Sequence, residues 1–211
     1  MTSITHHVPE HLLIAYAAGS LSHPFSLVVA AHVSMCDQCR ATLEAHQAVG
    51  GTLLEDQAGI ELPDAFKDKV MAQLDEALDE TPAYRTDGVL PAPIVAALEG
   101  KLPRWRSVGM GVKQDILSAS DEGSVRLLSI PPGQAMPDHS HGGLEMTLVL
   151  QGSYSDGTGH YAAGDVEIAT EDLHHTPVAG EGETCICLAA TDAPLRFRKL
   201  MPRLLQPVFR I

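Results

Sequence analysis

Residues 133–152 read GQAMPDHSHGGLEMTLVLQG, and this stretch decides the fold of the second half of the chain. His139 and His141 stand two apart, so on an extended segment both face the same side, because a strand alternates faces with period two. Glu145 opens the apolar run EMTLVLQ two further steps on, in the same phase. Gly133 and Gly152 bracket a segment that carries two imidazoles and a carboxylate on one inner wall. That donor set suits Zn, Fe, Mn, Ni or Cu and leaves coordination positions open.

The pattern stays β on both sides of this segment. VRLLSIPPG (125–133), HYAAGDVEIA (160–169), TCICLAATD (184–192) and LRFRKL (195–200) are short, β-branched or alternating, and divided by Gly, Pro and Asp. Such spacing predicts an all-β barrel or sandwich. Cys185 and Cys187 face one way on their strand and read as buried thiols, since neighbours of this kind do not form a relaxed disulfide. If their face is the barrel interior, they lie near the metal. The apolar tail PRLLQPVFRI is expected to pack against the barrel.

Before residue 80 the period is helical. EHLLIAYAAG (10–19) follows Pro9 and stops at Gly19; HPFSLVVAAHV (23–33) has an early proline; DQCRATLEAHQAV (37–49) and DAFKDKVMAQLDEALDE (64–80) follow. The last places Phe66, Val70, Met71, Leu74 and Leu78 on one side and charges on the other. The Pro- and Gly-containing stretch ETPAYRTDGVLPAP (80–93) has linker composition. The fold class expected is therefore α+β and multidomain: a four-helix domain over 1–85, a linker over 86–92 and an all-β domain over 93–211.

HVSMCDQC (32–39) carries the second constellation. His32, Cys36 and Cys39 are four and three apart, so three soft ligands converge, and a tetrahedral site needs one more. His6 and His7 are the candidates, with His7 preferred for its place nearer the helix start. His7, His32, Cys36 and Cys39 make a closed His₂Cys₂ set suited to a structural zinc. Cys39 falls in the first turn of the third helix, where the helix dipole is expected to favour its thiolate. A bundle of this size buries little apolar surface, and a metal would stabilise it substantially. His11, His23, His46 and His160 read as surface residues.

Composition bounds the function. The 211 residues carry a formal charge of −13, with 27 Asp and Glu against 14 Lys and Arg, and the first 80 hold a net −9. Direct nucleic-acid binding is disfavoured; the acidic helical half suits a basic protein partner. No apolar run approaches the roughly 18 residues of a membrane span, and the polar start lacks a secretory pattern, so a cytoplasmic location is expected.

Two resemblances follow from these residues. His7, AYAAGSLS and His32-x3-Cys36-x2-Cys39 with four helices resemble the zinc-binding anti-sigma domain that sequesters extracytoplasmic-function sigma factors. In that family three helices hold zinc, and the fourth, here around 64–79, covers the surface with which the sigma factor binds RNA polymerase. Gly133 to Gly152 matches the first cupin motif at each named position. The second motif begins at Gly164 and would supply its histidine at His175, with His174 as competitor; Thr170, Asp172 and Ala179 replace its usual proline, glycine and asparagine. The resemblance thus implies a metal set of His139, His141, Glu145 and His175, holding zinc or another divalent transition metal. Together the two halves resemble the ChrR-type anti-sigma factors, whose cupin half is required for responding to singlet oxygen or organic hydroperoxides. That resemblance implies a regulator and no enzyme; the alternative is a cupin-type metalloenzyme, a dioxygenase or similar, with a helical dimerisation module.

Overall fold

The computed structural model describes residues 3–74, 84, 88–194 and 196–197. Five helices come first: α1 (Glu10–Ala17), α2 (His23–Met35), α3 (Asp37–Glu55), α4 (Asp64–Gln73) and α5 (Ala92–Ala97). The strands are β1 (Arg106–Gly109), β2 (Val112–Ser120), β3 (Gly123–Ile130), β4 (His139–Ser140), β5 (Glu145–Gln151), β6 (Ser153–Ser155), β7 (His160–Ala162), β8 (Val166–Ala169), β9 (His174–His175), β10 (Val178–Ala179), β11 (Cys185–Thr191) and β12 (Arg196–Phe197). The α+β arrangement is the one expected, with helices first and a β-rich barrel after them.

Local chemistry explains the end of the first helix. At Gly19 the backbone turns left-handed (φ 67°), its N–H reaches the Tyr16 carbonyl, and the Ser20 N–H reaches that of Ala15. This paired closure needs a residue without a Cβ penalty. The third helix runs further than its pattern suggests, through Gly50 and Gly51 to Glu55. Each glycine costs about 1 kcal/mol against alanine but keeps its N–H and clashes with nothing, so glycine weakens a helix where proline would break it. HYAAGDVEIA, one run in the sequence, divides into β7 and β8 around a turn at Gly164, where φ is 97°.

Two layers form the barrel. One sheet has the order β1-β2-β3-β11-β5-β8, and the small sheets β10-β6-β7 and β12-β4-β9 face it. Val112, Ile130, Val149, Cys185 and Cys187 from the first layer pack on Tyr154, Tyr161 and Ala179 from the second. The outer face of the large sheet is covered by helix. Val28, Val29 and Ala31 of α2 and Ile94 of α5 join Val125, Leu127, Met146, Leu148 and Leu188 in one apolar core. That core extends to Leu12 and Leu13 of α1, so helices and sheet share a single interior.

The chain's start is tied to the same sheet. Val166 N–H donates to the His6 carbonyl (3.1 Å), while the buried Asp165 carboxylate accepts from the N–H groups of Thr5 (2.7 Å), His6 (2.8 Å) and Ala162 (2.9 Å). Burial alone would raise the pKa of Asp165, yet these three backbone donors outweigh it and hold the carboxyl below its usual range. In contrast, α4 buries none of its residues: Phe66, Val70 and Met71 are 44%, 41% and 54% exposed, and Leu74 just past its end is 70% exposed. Leu78, half of the stretch 80–93 and the tail 198–211 lie outside the described residues. Among the described residues no helix is long and apolar enough to cross a membrane.

Candidate metal centres

The helical half brings His7, His32, Cys36 and Cys39 together, with one ligand atom of each within 4.8 Å of all the others. Cys36 caps α3, its sulfur accepting from the Cys39 N–H at 3.5 Å, so both thiols face the same point. Nδ1 of His7 lies 3.4 Å from Sγ of Cys36 and 3.6 Å from Sγ of Cys39. A tetrahedral zinc with bonds of about 2.0 Å to nitrogen and 2.3 Å to sulfur would set such atoms roughly 3.6 Å apart. His6, the competitor, turns away: its ring packs on Tyr161 at 4.5 Å and its Nδ1 lies 3.5 Å from Asp165.

His32 reports most clearly on a missing partner. Its Nδ1 donates to the Gly164 carbonyl at 2.9 Å, which leaves Nε2 as a bare lone pair, buried and without a hydrogen-bond partner among the described residues. An orphaned buried acceptor costs about 1–3 kcal/mol, and a cation removes that cost. Burial lowers the His32 pKa to about 4, against the pull of the Gly164 carbonyl, so the ring is neutral as a ligand must be. Cys39 departs from expectation. Burial, with the neighbouring Cys36, pushes its thiol up to about 11 against a hydrogen bond from the Val8 backbone, so a metal ion must displace that proton to bind.

The barrel gathers a second set. In the register His139 lies opposite His175, and opposed residues of antiparallel strands share a face. His174 pairs with Ser140 and is exposed, so of the two adjacent histidines it is His175 that the fold brings beside His139. Nε2 of His175 lies 3.2 Å from Nε2 of His139 and 3.2 Å from Nε2 of His141. Nδ1 of His139 donates to the Pro137 carbonyl (2.8 Å) and Nδ1 of His175 to Asp156 (2.5 Å). In the neutral rings the two Nε2 atoms are facing lone pairs, which either a proton or a metal cation between them reconciles, and 3.2 Å is close to the edge of a tetrahedron built from bonds of about 2.0 Å. Glu145 stands beside this triad: its Oε2 is 3.3 Å from Nδ1 of His141, and its Oε1 accepts from Thr147 (3.2 Å). Burial favours the neutral acid, but the three imidazoles outweigh it and hold Glu145 below the usual carboxylate range.

Asp156 and Glu167 were not singled out from sequence. Asp156 sits in the turn SDGTG, and Glu167 is a lone acid at an inward position of β8; such an acid in a buried strand is the signal available. Both carboxylates approach Nδ1 of His175, at 2.5 and 3.5 Å, and Tyr154 donates to Glu167 at 2.7 Å. Burial lowers the His175 pKa, but the bonds to Glu167 and Asp156 raise it above the ordinary value, while burial lowers that of His139 despite Glu145. Two imidazoles of one cluster are thus tuned in opposite directions by what lies behind them.

Comparison with known proteins identifies the family. The profile of the ChrR cupin-like domain matches residues 97–194. The anti-sigma-E factor ChrR of Cereibacter sphaeroides is 54% identical over 212 residues, covering 99% of this chain and 100% of that protein. The chain belongs to the ChrR family of anti-sigma factors. A crystal structure of Rhodobacter sphaeroides SigE in complex with the anti-sigma ChrR has a ChrR-like fold match of TM-score 0.82 at 52% identity, over 90% of this chain and 100% of that one. As a ChrR-family protein, the chain carries among its described residues three groups of side chains that could hold a metal ion: one in the helices, and two in the cupin barrel, His139, His141 and His175 and, sharing His175, Asp156, Glu167 and His175.

Proposed function

We propose that this protein sequesters an extracytoplasmic-function sigma factor through its helical half and releases it when the barrel centre meets singlet oxygen or an organic hydroperoxide. Its role is regulatory and not enzymatic. The observation that carries the first part is α4: ten residues with an apolar side of Phe66, Val70 and Met71, none of them buried among the described residues. A helix this short is marginal alone in water, so its apolar stripe calls for a partner surface. Leu53 and Leu54 at the end of α3 are likewise exposed, at 61% and 75%. The family relationship supports a sigma factor as the partner.

The site assignments follow. His7, His32, Cys36 and Cys39 would hold a structural zinc with no open position; His139, His141 and His175, with Glu145, would hold zinc or another divalent transition metal that leaves positions exposed to a reactive species. A metal in the barrel would supply Lewis acidity and exchangeable coordination sites. Residues 1–85 would be the inhibitory module and 93–211 the responsive one. Beside the shared apolar core, a polar contact between them passes through the turn before β8: Gly164 holds His32, Asp165 holds residues 5 and 6, and Glu167 backs His175. A rearrangement at the barrel centre thereby reaches a ligand of the closed centre along four residues of chain.

Co-purification with a sigma factor encoded beside this protein, with metal measured on the same sample, tests the reading. The expected result is a complex with two metal ions per chain. Replacing His141 or Glu145 by Ala is expected to leave repression intact and abolish induction by oxidant, because a signal releases a partner only through differing free energies in the two states. Loss of all repression in those variants would assign the barrel a structural role instead.

A further inference from the structure

The inner wall of the barrel holds a cation that neither metal centre uses. Arg126 of β3 is 6% exposed. In the register it lies opposite Ala189 of β11, which lies opposite Thr147 of β5, so the three form one row on the inner face. Two strand spacings, about 10 Å at the backbone, separate Arg126 from Thr147, and only the methyl of Ala189 stands between. Thr147 donates to Glu145, which touches His141. The guanidinium therefore shares the barrel interior with the histidine triad.

Its partners position it without neutralising it. Nη1 donates to Oε1 of Gln114 (3.2 Å) and Nη2 to the Ser124 hydroxyl (2.8 Å), and no carboxylate among the described residues lies within ion-pair distance. A guanidinium has five N–H donors and keeps its charge at any physiological pH. Burying it unpaired costs several kcal/mol, a cost that a bound anion offsets. Burial lowers its pKa and the field of Glu145 only partly restores it, in keeping with an incomplete local balance of charge.

We propose that the barrel interior binds a small organic monocarboxylate, its carboxylate on Arg126 and its other end toward the histidine triad. The planar fork fits a carboxylate held by two parallel hydrogen bonds. One guanidinium matches one negative charge better than the two of phosphate, and Ile116, Leu128 and Ala189 around it offer an apolar wall for a carbon chain. The second contact rests on the reading of the triad as a metal centre; the Arg126 contact does not.

Pyruvate and its neutral amide, pyruvamide, are the probes, titrated into the full-length protein by calorimetry with metal content measured on each sample. Pyruvate is expected to bind at millimolar or lower concentration and to raise the melting temperature, with pyruvamide and phosphate at least tenfold weaker. Arg126→Gln is expected to weaken pyruvate at least tenfold, and Arg126→Met equally, while the methionine variant melts no lower than wild type in the absence of ligand because a buried charge has gone. The absence of a pyruvate-dependent melting shift in the wild type up to tens of millimolar overturns the proposal without recourse to any variant. Unchanged affinity in Arg126→Gln, or phosphate binding as tightly as pyruvate, overturns it too. Binding that needs Arg126 but persists in a barrel measured to hold no metal would sustain this site and remove the metal from it.

Discussion

His32 and His175 show how a single ring is fitted for a metal from behind. Each donates Nδ1–H to an acceptor on the barrel, Gly164 O at 2.9 Å and Asp156 Oδ2 at 2.5 Å, so each presents Nε2 as a lone pair. Replacing Cys36 or Cys39 by Ser, or His32 by Ala, is expected to remove one metal ion per chain, read by metal analysis of the purified protein. His7→Ala is expected to do the same and His6→Ala to leave stoichiometry unchanged, since His6 faces Tyr161. Asp156→Asn keeps the turn but removes the charge behind His175; barrel metal affinity is expected to fall about 10- to 100-fold, measured by competition with a chelator. All four cysteines are free and buried. Alkylation of the metal-loaded protein is accordingly expected to be slow at every one, with Cys36 and Cys39 reacting first after chelation.

Among the elements, α4 and the turn before β8 make opposite demands. Phe66→Asp with Val70→Asp places charges on a helix that buries nothing, so melting is expected to shift by no more than about 0.5 kcal/mol in stability while sigma-factor binding disappears. A matching loss of stability would mean that α4 packs on its own chain. Gly164 is the reverse case, placed where the backbone is left-handed and a Cβ would meet Ile4 Cδ1 at 2.6 Å. Gly164→Ala is expected to cost about 1–2 kcal/mol from the backbone alone and to loosen residues 4–7 from the sheet, read as faster amide exchange at Val166 and His6. The amide of Val166 is the direct reporter because it donates to His6.

For the molecule as a whole, helices and barrel share one core, and this governs how the halves separate. A fragment of residues 1–85 is expected to bind the sigma factor with a salt-sensitive rate, as an acidic surface meeting a basic one does. It is also expected to be less stable than the same helices in the full chain, because Val28, Val29 and Ala31 lose the sheet they pack on. A fragment that binds nothing while the full chain represses would place part of the interface in the barrel. Acid weakens the same junction. The folded pKa of Asp165 lies below its unfolded value of about 3.9, so its contribution is complete above that pH and is lost as pH falls through the folded value; Asp165→Asn is expected to flatten that limb of a stability-against-pH curve.

Ligand chemistry was legible in the sequence because it depends on short spacings. His139-x-His141 fixes a shared face by the pleat, and His32-x3-Cys36-x2-Cys39 fixes another by the helical turn, so both clusters and the division into helical and β halves follow from local geometry. The tertiary structure alone decided what has no local signature. Which of His6 and His7 lies beside Cys36 and Cys39, and which of His174 and His175 lies beside His139, turns on which of two adjacent side chains points inward, and that is set by packing on Tyr161 and by the register of β4 against β9. Gly164 behind His32 joins residues 132 positions apart, and Arg126 became a candidate only once β3, β11 and β5 aligned it with Ala189 and Thr147. Local sequence specifies which way a side chain can face; only the closed fold specifies what it faces.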